Sequence, residues 1–261
     1  MSGASRLRQR LVHSIQRLIA DYCPDSLLGR MDYYGHPELL DHWGGPFNGQ
    51  CFRQLMYLDL VLTCNFEAII ETGAFRGSTT RFLTQNSGGA QVYSCEYNAR
   101  YFEFAKHRLR GISNLSLYKS DSRKFIHQLS ISRQSTTFFY LDAHWSEDLP
   151  LREEMDLILA KFDNFVVMID DFEVPNDPGY GFDDYGPSKR LCLRDFPFHE
   201  NDNIACYFPS RPSSRESGLK RGAVIFASRG LQANLDSVTT LTPIGIHPGF
   251  AIQAQGAEAQ S

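Results

Sequence analysis

The chain reads as an α/β protein with a doubly wound, mostly parallel sheet of seven strands, the last two forming an antiparallel hairpin, behind a helical N-terminal extension. Three observations predict this. Short apolar runs alternate with helical patterns between residues 66 and 170, as parallel strands joined by crossover helices do. The runs are apolar on both faces, as strands covered by helices on both sides must be. A glycine-containing turn follows the first run and carboxylates follow the others, which puts polar chemistry at the carboxyl ends of strands, where open α/β sheets bind ligands.

Residues 5 to 20 place Leu7, Leu11, Ile15, Leu18 and Ile19 at helical spacing among Arg6, Arg8, Arg10 and Arg17. Such a helix either touches a membrane surface or packs on the domain or on a second subunit, and the packing role, including a homodimer, is the expectation. Gly29 to Gly49 is irregular, rich in Gly, Pro, His and aromatics, and a helix is predicted over Phe52 to Cys64. Residues 1–60 form an accessory segment, 61–252 the main domain and 253–261 a small, polar, frayed tail. The alternation begins with strand 66–71, then helix 78–85, strand 91–96, helix 98–110, strand 115–119, helix 122–130, strand 136–142, helix 150–161 and strand 165–170. A long loop to Pro187 leads to a predicted helix over 188–195, then strands near 203–208 and 222–227 around an arginine-rich turn, Ser210 to Arg221.

Bulk properties narrow the class. With 261 residues and 42% hydrophobic content, a substantial core is expected. A net charge of −4 without a basic stripe disfavours nucleic acid as a partner. Six scattered cysteines, none in a C-x-x-C pair, read as reduced thiols of a cytoplasmic protein. No secretory h-region and no bilayer-length apolar stretch appear, so no integral membrane segment is expected.

Gly73 and Gly77 flank the turn after the first strand, Glu71-Thr72-Gly73-Ala74-Phe75-Arg76-Gly77-Ser78. Glycine permits a tight turn and close ligand approach, and the helix N-terminus at Ser78 offers free N–H groups. Glu96 ends the second strand 23 residues after Gly73, where a carboxylate suits ribose hydroxyls. Asp121 and Ser122 follow the third strand, within reach of a purine ring. In this order the residues resemble a class I S-adenosylmethionine-dependent methyltransferase over roughly residues 60 to 230. The resemblance implies a Rossmann-like fold, with Glu71, Gly73, Gly77 and Ser78 in the first cofactor motif, Glu96 on the ribose and Asp121-Ser122 near the adenine. This chain carries Ala74, Phe75 and Arg76 where the family often has a third glycine.

Asp142 follows the fourth strand, and Asp170-Asp171 the fifth. Three converging acids repel one another unless a cation lies between them, and a hard divalent ion such as Mg²⁺ prefers carboxylate oxygens. The runs Leu141-Asp142-Ala143-His144 and Ile169-Asp170-Asp171-Phe172 resemble those of the metal-dependent macrocin and aminocoumarin-sugar O-methyltransferases. In that family a second acid stands where His144 stands here. A histidine of ordinary pKa is neutral at physiological pH and suits a general base. The acidic, aromatic loop after the metal pair offers Tyr180, Phe182, Asp183, Asp184 and Tyr185 to an acceptor.

The expectation is a Mg²⁺-dependent transfer of methyl from S-adenosylmethionine to a hydroxyl of a small molecule, perhaps (on the family resemblance) a sugar. A catechol-type O-methyltransferase shares the spacing, and a non-catalytic module retaining the fold is the alternative from another class. No G-x-S-x-G elbow supports a hydrolase, and no N-P-P-Y-like run after the fourth strand supports nucleic-acid methylation.

Overall fold

Consecutive residues of the predicted strands point to opposite faces, and both faces are apolar. On β5 (Phe165–Asp170), Val167 and Ile169 pack in one core while Val166 and Met168 pack in the other. A computed structural model describes residues 23–144 and 148–245. The predicted helix over residues 5–20 and the tail from 253 lie outside these residues.

The remaining strands are β1 (Ala68–Thr72), β2 (Gln91–Glu96), β3 (Leu115–Lys119), β4 (Thr137–Leu141), β6 (Ile204–Pro209), β7 (Ala223–Ser228) and β8 (Leu241–Pro243). They form one sheet in the order β3-β2-β1-β4-β5-β7-β6-β8. The first five pair in parallel, and β7, β6 and β8 add antiparallel. The order reverses between β1 and β4, so the loops leaving those strands diverge and leave a crevice.

Helices α1 (Asp25–Gly35), α2 (Cys51–Cys64), α3 (Ser78–Gln85), α4 (Ala99–Arg108), α5 (Ser122–Gln128), α6 (Leu151–Lys161) and α7 (Gln232–Asp236) surround the sheet. Helix α2 buries Arg53, Met56, Tyr57, Leu60, Val61 and Cys64, a stripe of helical period. Phe47 and this stripe enter the same core as Ile69, Phe138 and Val166 of the sheet. Phe47, Met56, Tyr57 and Leu60, all within the expected accessory segment, contribute to that one of the two cores.

Three elements differ from expectation. An eighth strand, β8, closes the edge beside β6; three residues ending in proline are too short to show a periodicity. No helix forms over 188–195. Leu191, Cys192 and Leu193 are all buried, which one helical face cannot achieve, and the Asp195 carboxylate accepts the Arg190 N–H at 3.1 Å, favouring turns. The stretch 29–49 is partly regular, since α1 runs to Gly35 and 3₁₀ turns cover Pro37–Gly44 and Pro46–Gly49. All six cysteines are free thiols. Among the described residues no helix is long and apolar enough to cross a membrane.

Candidate active site

The glycine turn is fastened to its neighbours on both sides. Gly73 (φ +84°) and Ala74 donate their N–H groups to the Cys95 carbonyl at 3.0 and 2.9 Å. A Cβ on Gly73 would overlap the Asp142 carbonyl oxygen, so only glycine lets the turn lie against the end of β4. Gly77 (φ +75°) caps α3 in the left-handed region. The two halves of the site are therefore contiguous: the turn after β1 touches the backbone of the first acid after β4.

Glu96 receives the Phe75 N–H and the Asn98 N–H, both at 2.7 Å, one on each carboxylate oxygen. Burial raises its pKa, while those amides and that of Tyr97 favour the charged form. Each carboxylate oxygen has a second lone pair, so Glu96 can still accept from a diol. Glu71 sits lower and is 1% exposed; it accepts the hydroxyls of Thr80 and Ser94, both at 2.5 Å. Burial pushes its carboxyl up to about 7. Glu71 thus ties β1 to α3 and β2 beneath the turn. Ser78 is engaged as well, donating to the Leu40 carbonyl at 3.2 Å and accepting from Arg108 at 2.9 Å. Asp121 caps α5 through the N–H groups of Arg123 and Lys124 and pairs with the Arg123 guanidinium at 2.6 Å, which holds its carboxyl below the usual range. Ser122 is buried beside Glu154, whose carboxyl burial also pushes up to about 7.

The structure gathers Asp142, His144 and Asp171, with one donor atom from each lying within 4.8 Å of the others. It separates Asp170 from this trio. Asp170 is fully buried; Arg53 (1% exposed) pairs with one oxygen, while Tyr140 donates to the other at 2.6 Å and Asn48 at 3.2 Å. Burial alone would raise the Asp170 pKa, but Arg53 and Tyr140 outweigh it and hold it low. Arg53 also donates to the Arg221 carbonyl. Both oxygens of Asp170 are thus engaged by Arg53, Tyr140 and Asn48, whereas the converging donor atoms are those of Asp142, His144 and Asp171.

The other acids are less well compensated. Asp142 keeps part of its surface open, yet burial and the nearby charges of Asp170, Asp171 and Glu71 push its pKa well up. Among the described residues its one side-chain polar contact is the Tyr140 hydroxyl at 3.4 Å, whose proton already goes to Asp170 at 2.6 Å. Asp171, held at φ +53°, takes Arg221 Nε at 2.5 Å on Oδ1; burial and Asp170 still raise it to about 7. His144 is buried, and burial outweighs the pull of Asp183 and Asp170, so its imidazole is held neutral. Among the described residues its Nε2 has no hydrogen-bond partner, and it stands 3.9 Å from both Asp171 and Asp183 oxygens.

The loop after β5 folds back onto this cluster. Asp183 pairs with Arg221 and accepts the Tyr185 hydroxyl, and its N–H bonds the Asp171 carbonyl at 2.9 Å. Asp183 and Tyr185 therefore line the site. Tyr180 is 2% exposed with its hydroxyl on the Arg211 carbonyl, Phe182 lies under the Arg190 guanidinium at 4.5 Å, and Asp184 accepts the Gly186 N–H at 3.0 Å. The contacts of these three lie within the loop and its immediate neighbours, with Asp184 exposed and Phe182 half-buried.

Four residues of the site, Asn48, Arg53, Tyr140 and Arg221, were not singled out from sequence. Arg53 did leave a signal: a guanidinium at a core position of the α2 stripe must find a buried acid.

The sequence matches no known family model, and a search of curated proteins finds no match. Solved structures do resemble the fold. An O-methyltransferase from Bacillus cereus in complex with SAH shares 14% identity over 83% of this chain and 97% of its own, with a TM-score of 0.54. Cofactor-bound Rv0187 from MTB shares 14% over 83% and 96%, with a TM-score of 0.52. At such identity the likeness concerns the fold, which is the Rossmann-like methyltransferase fold with an antiparallel C-terminal extension.

Proposed function

We propose that this chain is an S-adenosylmethionine-dependent O-methyltransferase that uses a divalent cation, Mg²⁺ in the first instance, and acts on a hydroxylated small molecule. One observation carries the reading: the glycine turn that presents Glu96 lies directly against the backbone of Asp142, so a cofactor site and an under-neutralised acidic site share one wall. The bound cofactor of structural neighbours supports the first half. Sugar specificity, within this reading, rests on the two acidic sequence runs and their family resemblance.

The charges fit a divalent ion. Asp142, Asp170, Asp171 and Asp183 bring four negative charges, and Arg53 and Arg221 return two. The remainder is formally −2 beside a neutral imidazole with an unpartnered nitrogen. Magnesium is commonly held by one or two carboxylates with waters and substrate oxygens filling its shell. Asp142 and Asp171 would hold it here.

S-adenosylmethionine supplies an electrophilic methyl group, and a divalent ion lowers the pKa of an acceptor hydroxyl. The chain's residues do the rest. Glu96 binds and orients the ribose, while the glycine turn allows the close approach. Nε2 of His144 takes the hydroxyl proton, and Asp171 and Asp183 stabilise the imidazolium that results. Arg221 and Tyr185 hold Asp183 and seat the loop that shields the site from water.

The test is calorimetric titration of the full chain with S-adenosylhomocysteine, followed by an acceptor screen with and without Mg²⁺. Binding lost in Glu96→Ala supports the reading; a folded wild type that binds nothing refutes it. His144→Gln separates base from ligand: turnover should vanish while cation affinity stays. Lost cation affinity would make His144 a ligand.

A further inference from the structure

The two arginines of the acidic site are not equivalent. Arg53 is sealed, with 1% of its side chain exposed. Arg221 lies at the mouth, one-quarter exposed, and spans Asp171 and Asp183. Its Nε holds Asp171 Oδ1 at 2.5 Å, while Asp171 Oδ2 faces the unpartnered Nε2 of His144 at 3.9 Å. The carboxylate that would grip a divalent ion is thus already half-neutralised by a guanidinium.

We propose that Arg221 is a built-in counter-cation, competing with the divalent ion for Asp171 and thereby setting the ion's affinity. This rests on the assignment of Asp142 and Asp171 as the ion's carboxylates. Two positive groups drawing on one carboxylate oppose each other. At the effective dielectric of a partly buried site, a guanidinium a few ångströms from a divalent ion is worth more than about tenfold in affinity. The same guanidinium holds Asp183 and, through it, the loop over the site. Ion occupancy and loop seating are therefore linked through one side chain: whatever loosens Arg221 from Asp171 leaves it to Asp183 alone.

The main chain at Arg221 is fixed independently of its side chain. Its N–H donates to Gln50 Oε1 at 2.8 Å, and its carbonyl accepts Gln50 Nε2 at 2.9 Å. Replacing the side chain therefore leaves the segment leading into β7 anchored to Gln50, and circular dichroism verifies the fold of each variant.

The experiment titrates Mn²⁺ into the full chain, without cofactor or acceptor, and reads the free aquo-ion by electron paramagnetic resonance. Arg221→Met should bind at least about tenfold more tightly than wild type, and Arg221→Lys, which keeps the charge, should stay within about threefold. Unchanged or weaker binding by Arg221→Met overturns the proposal, as does equal tightening by Arg221→Lys. Binding by Arg221→Met where wild type shows none supports it. If neither binds, both this proposal and the cation half of the proposed function fall. A chain that follows the expected pattern yet does not bind S-adenosylhomocysteine refutes the methyltransferase reading alone.

Discussion

Removing Arg53 should unfold this protein far more readily than its distance from any exposed surface suggests. The guanidinium is 1% exposed, its partner Asp170 is fully buried, and the pair crosses from α2 to the end of β5. Arg53→Met deletes the positive charge and leaves Asp170 with neutral donors alone, the Tyr140 hydroxyl, the Asn48 amide and the Asp171 N–H. It also strips the Arg221 carbonyl of one donor. Breaking one side of a buried pair costs about 3–5 kcal/mol because a desolvated charge is left behind. For a chain of this size each kilocalorie moves the melting temperature by about 2–4 °C, so a fall of roughly 6–20 °C is expected. Urea unfolding followed by far-ultraviolet circular dichroism gives the free energy directly.

The double variant Arg53→Met, Asp170→Leu removes both charges and should recover most of the loss, since buried pairs gain little net stability over apolar packing. A cost below about 1 kcal/mol for Arg53→Met, or no recovery in the double variant, would refute the buried-pair reasoning. Adding Mg²⁺ separates anchor from ligand. As an anchor, Asp170 leaves the deficit of Arg53→Met unchanged by the ion. Restoration by Mg²⁺ would return Asp170 to the ion's ligands.

Stability should also depend on pH through Glu71, whose carboxyl rises from an ordinary 4.5 to about 7 on burial. A raised acid pKa means the folded state keeps its proton longer, so the contribution is full below 4.5 and is lost as pH climbs to about 7, by about 3 kcal/mol. Glu71→Gln should flatten that part of a stability-against-pH curve, and an unchanged slope would assign it elsewhere. Asp142→Asn should raise the melting temperature of the ion-free protein, because burial and three neighbouring acids disfavour its charge, while abolishing stabilisation by Mg²⁺. A lower ion-free melting temperature would contradict this. Gly73→Ala would set a Cβ against the Asp142 carbonyl at a positive φ, so a loss of about 1–3 kcal/mol is expected together with weakened S-adenosylhomocysteine binding. Unaltered binding would show that the turn can shift away from β4.

The sheet was legible because its signal is local. Each of β1, β4 and β5 is an apolar run buried along its full length, with a turn or an acid at its end. The carboxylates were legible for the same reason: a strand that stops at an aspartate delivers it to the sheet's carboxyl edge, whatever the rest of the chain does. What neutralises those carboxylates was not legible, because it arrives from far away in sequence. Arg53 lies 117 residues from Asp170, and Arg221 lies 50 from Asp171. No local pattern registers which acid a distant guanidinium will meet, so acids that look alike in sequence come apart in the fold. Asp170 is sealed under Arg53 and Tyr140, Asp171 is shared between Arg221 and an open side, and Asp142 is left nearly bare. The loop residues show the same limit, since Tyr180 and Asp183 differ by three positions yet one fills the core and the other reaches the site. Composition proposes which side chains can do chemistry; the unequal supply of compensating charge decides which of them remain free to do it.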